Sequence, residues 1–302
     1  MRKRFVITAL ALLVGILSTA SCSSLKRMCT VDSGYSGAAY YDSICHPSGT
    51  LVEKFYPSSS KQGPGARRML VYLPDGYESS EESYPVLYLI HGARGNEQSW
   101  IKDGDALHTL DSLRTANLCS DFILVLPNLN QYDDDEDFGE SRFKRPIESF
   151  FEIDGTVESA FFTDVVEFVD RNFRTIPDKQ HRALAGLSIG ALQAIYISAD
   201  NPDAFDYIGL FSPMYKAFFK KSECSDFYRD LNQRQEMQFA NPPQLYFIQI
   251  GKADRFYSHI TDYRIYLNKN GFDYQYREYE GGHTWTSWKK YFEVFAKRIF
   301  IQ

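Results

Sequence analysis

The chain has 302 residues, of which 44% are hydrophobic and 16% aromatic, and its formal net charge is −6. This length suffices for one large α/β domain or two small ones. An acidic chain is a poor candidate for binding nucleic acid or an anionic membrane surface, so we expect neither partner.

The first 21 residues are predicted to be a signal peptide. A basic start, MRKR, precedes the apolar residues 5–17, a run too short for an ordinary membrane-spanning helix. Two processing routes remain open. Signal peptidase would cleave after Ala20 or Ser21, whereas lipoprotein processing would make Cys22 the lipidated first residue, although Thr19 stands where leucine is usual.

Either route predicts an exported bacterial protein, in the periplasm or at the outer membrane as a lipoprotein. Cleavage removes three basic residues and no acidic ones, which changes the net charge from −6 to −9. Residues 22–50 are small and polar and are interpreted as a tether, and residues 51–302 as the folded domain. Membrane contact is expected only through a lipid anchor at Cys22.

The chain contains five cysteines: Cys22, Cys29, Cys45, Cys119 and Cys224. An oxidising compartment permits disulfides, and Cys29 and Cys45 are the closest pair in sequence. Free buried thiols are an equal alternative. No cysteine or histidine spacing indicates zinc.

From about residue 66, apolar strand patterns alternate with helical ones. Strands are predicted at 67–74, 84–92, 121–128, 182–186, 207–213, 244–251 and 272–281, and helices at 105–117, 157–173, 189–199, 225–237, 258–270 and 285–300. This alternation predicts a single α/β domain whose mostly parallel sheet is covered by helices on both faces.

The segment 128–157 is too long for a simple connection, so it either lines a substrate site or is a solvated insertion. Its acidic run, Asp133–Asp137, lacks the spaced ligands and the glycine of a calcium loop and is interpreted as solvated charge. We therefore expect no metal and no cofactor.

The stretch GLSIG, residues 186–190, places Ser188 between two glycines, after an apolar strand and before a helical pattern. This is the pattern of a nucleophile elbow, in which a tight turn projects the serine oxygen at the carboxyl end of a strand. Ser188 is the predicted nucleophile. The backbone amide of Ile189 is predicted to stabilise an oxyanion.

A nucleophilic serine needs a base and an orienting acid, which follow it in the chain in this arrangement. Only His259 and His283 follow Ser188. His283 lies between the last strand and the last helix, so it is the predicted base, whereas His259 falls within a helical pattern. Asp254 follows the strand 244–251 and is the predicted acid; the alternatives Asp226, Asp230 and Asp262 lie in helical patterns, and Asp273 opens a strand at its wrong end.

The second oxyanion amide is expected at an early junction between a strand and a loop. The strand 84–92 ends in His91 and Gly92, so the amide of Ala93 is the candidate. We interpret the His91 side chain as a brace for this loop rather than as a base.

Four blocks, beginning at LVYLPDGYE, HRALAGLSIG, IGKADRFY and YEGGHTW, together resemble the esterase D-type α/β-hydrolases, which include feruloyl and acetyl-xylan esterases. The resemblance covers roughly residues 50–302. It implies an α/β-hydrolase fold, the triad of Ser188, Asp254 and His283, and oxyanion amides at Ala93 and Ile189. The chain departs from the family at Ala191, where a second glycine is usual.

The resemblance implies a serine carboxylesterase that acts on acyl or feruloyl esters, with plant polysaccharide as the expected carrier, and the predicted signal peptide makes it an exported enzyme. Two alternatives remain: a siderophore-ester hydrolase or acyltransferase, and a non-catalytic binding protein on the same fold. The intact set of three residues argues against the last of these.

Overall fold

A computed structural model describes residues 48–60, 65–130, 154–215 and 226–301. They contain an eight-stranded sheet in the order β1-β2-β4-β3-β5-β6-β7-β8. The strands are Thr50–Pro57 (β1), Ala66–Leu73 (β2), Val86–Ile90 (β3), Ile123–Pro127 (β4), Arg182–Leu187 (β5), Tyr207–Phe211 (β6), Leu245–Gly251 (β7) and Gln275–Tyr279 (β8). β2 pairs antiparallel with β1 and β4, and every pairing from β4 to β8 is parallel. The predicted mostly parallel sheet is confirmed.

The helices described are Ser99–Lys102 (α1), Ala106–Thr115 (α2), Thr156–Ser159 (α3), Glu167–Asn172 (α4), Ile189–Asp200 (α5), Asp226–Arg229 (α6), Leu231–Ala240 (α7), Tyr257–Lys269 (α8) and Trp285–Ala296 (α9). Short 3₁₀ turns occur at Tyr77–Ser79 and Lys179–His181. Within the described ranges, no helix has the length and apolar character needed to cross a bilayer.

Two apolar cores lie on opposite faces of the sheet. In β3, Val86, Tyr88 and Ile90 enter one core, and Leu87 and Leu89 enter the other. Helices α4, α5, α7 and α8 cover the first face, and α2 and α9 cover the second. Every residue of β3 to β7 is buried, which is why these strands are continuous apolar runs in the sequence.

β1 was not predicted because a charged residue occupies one of its buried positions. Glu53 interrupts the apolar pattern of the strand, yet it is only 6% exposed because its carboxylate lies 3.5 Å from Arg68 on β2. Arg68 also lies 3.6 Å from Glu97. Buried charges are tolerated when they are paired, and the pairing depends on residues distant in sequence.

Two predicted helices differ in detail. The helix predicted at 157–173 is formed by α3, a π-helical segment at Phe162–Val166, and α4. The helix predicted at 225–237 is divided at Asp230 into α6 and α7. The π segment inserts an extra residue into a turn, which a 3.6-residue period does not reveal.

Candidate active site

Ser188 stands at the turn between β5 and α5, as the elbow pattern predicts. Its backbone has φ 55° and ψ −114°, a conformation that a non-glycine residue adopts only at an energetic cost. Its N–H donates to the carbonyl oxygen of Phe211 on β6 at 2.9 Å, and its own carbonyl accepts from the N–H of Leu192 at 3.1 Å. These bonds hold the strained turn in place.

The two flanking glycines are required because backbone passes very close to both of them. A Cβ on Gly186 would lie 2.5 Å from the carbonyl carbon of Gly190. A Cβ on Gly190 would lie 2.2 Å from the carbonyl oxygen of His91. Both separations are far shorter than a van der Waals contact, so the elbow and the loop after β3 pack directly on each other.

We expect Gly190→Ala to lower the free energy of unfolding by about 1–3 kcal/mol, because the added methyl must displace the backbone at His91. Urea denaturation of the purified variant measures this. Gly65→Ala is the matched control, since a Cβ there meets no atom within 4 Å. Equal stability of Gly190→Ala and the parent protein would contradict the close contact.

His283 lies in the loop between β8 and α9 and links Ser188 to Asp254. Its Nε2 is 2.9 Å from Ser188 Oγ, and its Nδ1 is 3.1 Å from both carboxylate oxygens of Asp254. The rings of Phe256 and Trp288 meet the imidazole edge-on, with centroids at 4.8 Å and 4.9 Å. The imidazole is therefore held between two aromatic side chains, in reach of the serine.

Asp254 follows β7 in a turn that is tied to the histidine loop. The N–H of Ala253 donates to the carbonyl of Gly281 at 3.0 Å, and a Cβ on Gly251 would lie 2.2 Å from that same oxygen. The Gly281 backbone has φ +112°, which favours glycine. This contact sets the carboxylate and the imidazole side by side.

The side chain of Asp254 is completely buried. Burial by itself raises its pKa, but hydrogen bonds from His283, the N–H of Phe256 and the Ser212 hydroxyl outweigh burial, and the net effect is a lowered pKa. The Phe256 N–H lies 2.9 Å from Oδ1. Asp254 is therefore ionised at neutral pH and able to stabilise a positive imidazolium.

The two predicted oxyanion amides both lie at the carboxyl edge of the sheet. Ile189 is the first residue of α5, and the first N–H groups of a helix have no intrahelical partner. Ala93 is the second residue of a turn closed by the Gly95 N–H, which donates to the Gly92 carbonyl at 3.0 Å. That closing bond does not use the Ala93 N–H, and Arg94 in the same turn has φ 60°.

His91 acts as the predicted brace. Its Nε2 accepts from the N–H of Leu129 at 3.1 Å, so its Nδ1 carries the proton and donates to the Gly92 carbonyl at 2.8 Å. The ring is buried and connects the loop after β3 to the end of β4. The interpretation of His91 as a structural residue is confirmed.

Sequence reasoning missed three side chains around the triad: Phe256, Ser212 and Trp288. The indole Nε1 of Trp288 donates to Ser212 Oγ at 3.1 Å. Ser212 is the residue directly after β6, so it lies at the same sheet edge as Ser188 and Asp254. A buried serine at the end of a parallel strand is the signal that would have found it.

The other histidine after the nucleophile, His259, lies on α8 as predicted and packs edge-on against Phe256, with ring centroids 5.7 Å apart. Of the rejected acids, Asp230 precedes α7, and Asp262 lies on α8.

Cys119 has a free thiol whose pKa is raised to about 11 by burial and by the nearby charge of Asp121. The other four cysteines, including Cys22, lie outside the described residues, as do Asp133–Asp137.

A cavity of about 910 Å³ lies at the opposite, amino-terminal edge of the sheet. Its polar groups bond to one another. Lys179 Nζ donates to the Asn241 carbonyl, and the Tyr207 hydroxyl donates to Gln244 Oε1, each at 2.6 Å. Ligands of open parallel sheets bind at the carboxyl ends of the strands, so this cavity is not the site served by Ser188.

Comparison with known proteins identifies the family of this chain. The family described as "Putative esterase" matches residues 60–299. The chain belongs to this esterase family. The predicted resemblance to the esterases is thereby confirmed, as is the prediction of a serine ester hydrolase at the level of the family.

Two curated relatives of this esterase chain match parts of it. An endo-1,4-beta-xylanase/feruloyl esterase of Xylanibacter ruminicola is 37% identical over 146 residues, which are 47% of this chain and 19% of that protein. An esterase of Mycobacterium tuberculosis is 30% identical over 149 residues, 48% of this chain and 28% of that protein. The matched segments thus span less than a third of these relatives.

Solved structures show the fold. A ferulic acid esterase matches with a TM-score of 0.68 and 24% identity, over 84% of this chain and all of that one. A ferulic acid esterase from Anaeromyces mucronatus matches with a TM-score of 0.67 and 22% identity, over 85% of this chain and 92% of that one. The predicted α/β-hydrolase fold is confirmed.

Proposed function

We propose that this esterase is a serine carboxylesterase in which Ser188, His283 and Asp254 form the catalytic triad. The observation that carries the proposal is the continuous set of hydrogen bonds from Ser188 Oγ through both imidazole nitrogens of His283 to the Asp254 carboxylate. Nucleophile, base and orienting acid are within hydrogen-bond reach of one another, which is the geometric requirement for this chemistry.

The reaction begins when Ser188 Oγ attacks the ester carbonyl and its proton passes to His283 Nε2. The N–H groups of Ala93 and Ile189 stabilise the negative oxygen that forms; removal of one such donor typically costs about 3 kcal/mol of transition-state stabilisation. The alcohol leaves with the proton from His283, and the acyl group remains on Ser188. Water then gives a proton to His283 and attacks the acyl-enzyme, which releases the acid and restores Ser188.

Asp254 keeps its negative charge throughout these steps. Its lowered pKa means that the carboxylate faces the imidazolium as an anion and holds the Nδ1 proton in place. With Nδ1 protonated, the lone pair of Nε2 is directed to Ser188. His283 is therefore held in the tautomer that can accept the serine proton.

For the substrate, we propose acyl or feruloyl esters carried on plant polysaccharide. The curated relative named for both xylanase and feruloyl esterase activities supports this class, and so do the two ferulic acid esterase structures. The acyl pocket is expected to involve the loop after Trp100 and segments 128–157 and 212–224, parts of which lie outside the described residues.

An ester panel tests the proposal. The purified domain is assayed on p-nitrophenyl acetate, methyl ferulate and acetylated xylan, with Ser188→Ala as the inactive reference. Turnover of methyl ferulate or release of acetate from xylan, lost in Ser188→Ala, is the expected result. Hydrolysis of p-nitrophenyl acetate alone would keep the esterase and remove the polysaccharide substrate, and no Ser188-dependent turnover of any ester would contradict the activity.

Metal independence is a separate expectation. Within the ranges that the structure describes, no group of three or more histidine, cysteine, aspartate or glutamate side chains is placed to hold a metal ion. Dialysis against EDTA should therefore leave the rate on p-nitrophenyl acetate unchanged. A large loss that calcium restores would instead implicate the acidic run Asp133–Asp137.

We also propose that the chain is exported and anchored through lipid on Cys22. A lipoprotein carries more than one acyl chain at this cysteine, which gives stable attachment where one chain is marginal. The wild type should fractionate with membranes, and Cys22→Ala should remain uncleaved or be cut after Ala20 or Ser21. Mass spectrometry of the mature N-terminus measures this. A soluble mature protein with an unmodified Cys22 would overturn the anchor and leave export alone.

A further inference from the structure

Ser212 is fixed in an unusual conformation beside the triad. It follows β6 directly, is completely buried, and has φ 48°, a left-handed conformation that is uncommon for a residue with a side chain. Its N–H donates to the carbonyl of Gln249 on β7 at 2.8 Å. Residues held in such conformations cluster at active sites.

The hydroxyl of Ser212 has one proton, and its surroundings determine where that proton goes. Trp288 Nε1 donates to Ser212 Oγ at 3.1 Å, so one lone pair of the oxygen is occupied and its proton remains available. The hydroxyl lies beside the Asp254 carboxylate and the Tyr291 hydroxyl. A carboxylate is acceptor-only and bonds more strongly than a phenol, so the proton is directed to Asp254.

Asp254 needs such a donor because its bond to the histidine does not define its rotation. Nδ1 of His283 lies 3.1 Å from each carboxylate oxygen and therefore selects neither. The N–H of Phe256 holds Oδ1 at 2.9 Å. A further donor on the β6 side restricts this rotation.

We propose that Ser212, oriented by Trp288, is a positioning residue for the triad: it holds the Asp254 carboxylate in the orientation that His283 requires. Trp288 supports this arrangement through two contacts. Its indole N–H orients Ser212, and its ring packs edge-on against His283 with the ring centroids 4.9 Å apart. The inference rests on the proposed catalytic function of Ser188, His283 and Asp254.

Two variants separate the hydroxyl from the backbone conformation. Ser212→Ala and Ser212→Gly both remove the hydroxyl, but glycine tolerates a positive φ freely, whereas alanine does not. On p-nitrophenyl acetate, both should lower kcat about tenfold or more with KM unchanged, because a well-placed hydrogen bond to a charged group acts in the transition state. Trp288→Phe, which keeps an aromatic ring but removes the N–H, should show a smaller loss in kcat.

A second readout does not depend on turnover. The Nδ1 proton of His283, bonded to Asp254, should give a downfield proton NMR resonance that shifts or broadens in Ser212→Gly, including in a Ser188→Ala background. Ser198→Ala is the matched control. Ser198 is also buried, but its hydroxyl bonds to the carbonyl of Ile195 in its own helix at 3.2 Å, so kcat and the resonance should stay unchanged.

Wild-type kcat and an unshifted resonance in Ser212→Gly would overturn the proposal, as would a loss in Ser212→Ala that Ser212→Gly does not share, since strain would then be the cause. Failure of the proposed function has a different signature. In that case Ser188→Ala would keep its activity, while the resonance would still report whether Ser212 orients Asp254.

Discussion

Ser188→Ala and His283→Ala should each reduce kcat on p-nitrophenyl acetate by about 10⁶-fold, since removal of the nucleophile or the base of such a triad disables the whole unit. The two side chains contact each other at 2.9 Å, so either loss leaves the other without its partner. Thermal unfolding should change little in Ser188→Ala, because alanine keeps the Cβ and the backbone bonds of the elbow. Initial rates and differential scanning calorimetry measure the two effects.

The control for His283 is His259→Ala. His259 also contacts Phe256, but it lies on α8 outside the chain of hydrogen bonds that joins serine, histidine and aspartate. This variant should keep activity within a few-fold of the wild type. Activity in Ser188→Ala above about a thousandth of wild type would sink the nucleophile assignment.

Asp254→Asn should cost about 10⁴-fold in kcat while leaving the shape of the site intact. An amide has no charge to offer the imidazolium, and its NH₂ group donates to Nδ1 instead of accepting from it. Nε2 would then carry the proton and could no longer accept one from Ser188. The loss is smaller than for Ser188→Ala because the nucleophile and the oxyanion amides remain.

Asp230→Asn is the matched control, because Asp230 was a weaker candidate for the acid and precedes α7. We expect this variant to keep full activity. Full activity in Asp254→Asn would show that another residue serves as the acid, and a large loss in Asp230→Asn would identify it. Steady-state rates on p-nitrophenyl acetate are sufficient for the comparison.

The sequence by itself determined the features that depend on short stretches of chain. The glycines around Ser188 are needed because other backbone atoms lie closer to them than a Cβ would allow. This requirement is visible in the sequence as the five-residue pattern GLSIG. The central strands are buried on both faces, so they are continuous apolar runs with visible ends. Asp254 and His283 could be chosen because each follows the end of a predicted strand, and the carboxyl ends of parallel strands share one edge of the sheet.

Only the tertiary structure decided the features that depend on residues far apart in sequence. Glu53 is compatible with a buried strand only because Arg68 of β2 lies beside it, so an isolated reading of β1 misses the strand. The indole of Trp288 meets Ser212 across 76 residues of chain, after β6 and β7 become neighbours. Local periodicity records which face of an element is apolar. It does not record which polar group a buried hydroxyl or carboxylate will meet, because that partner is set by strand order and by the packing of helices on the sheet.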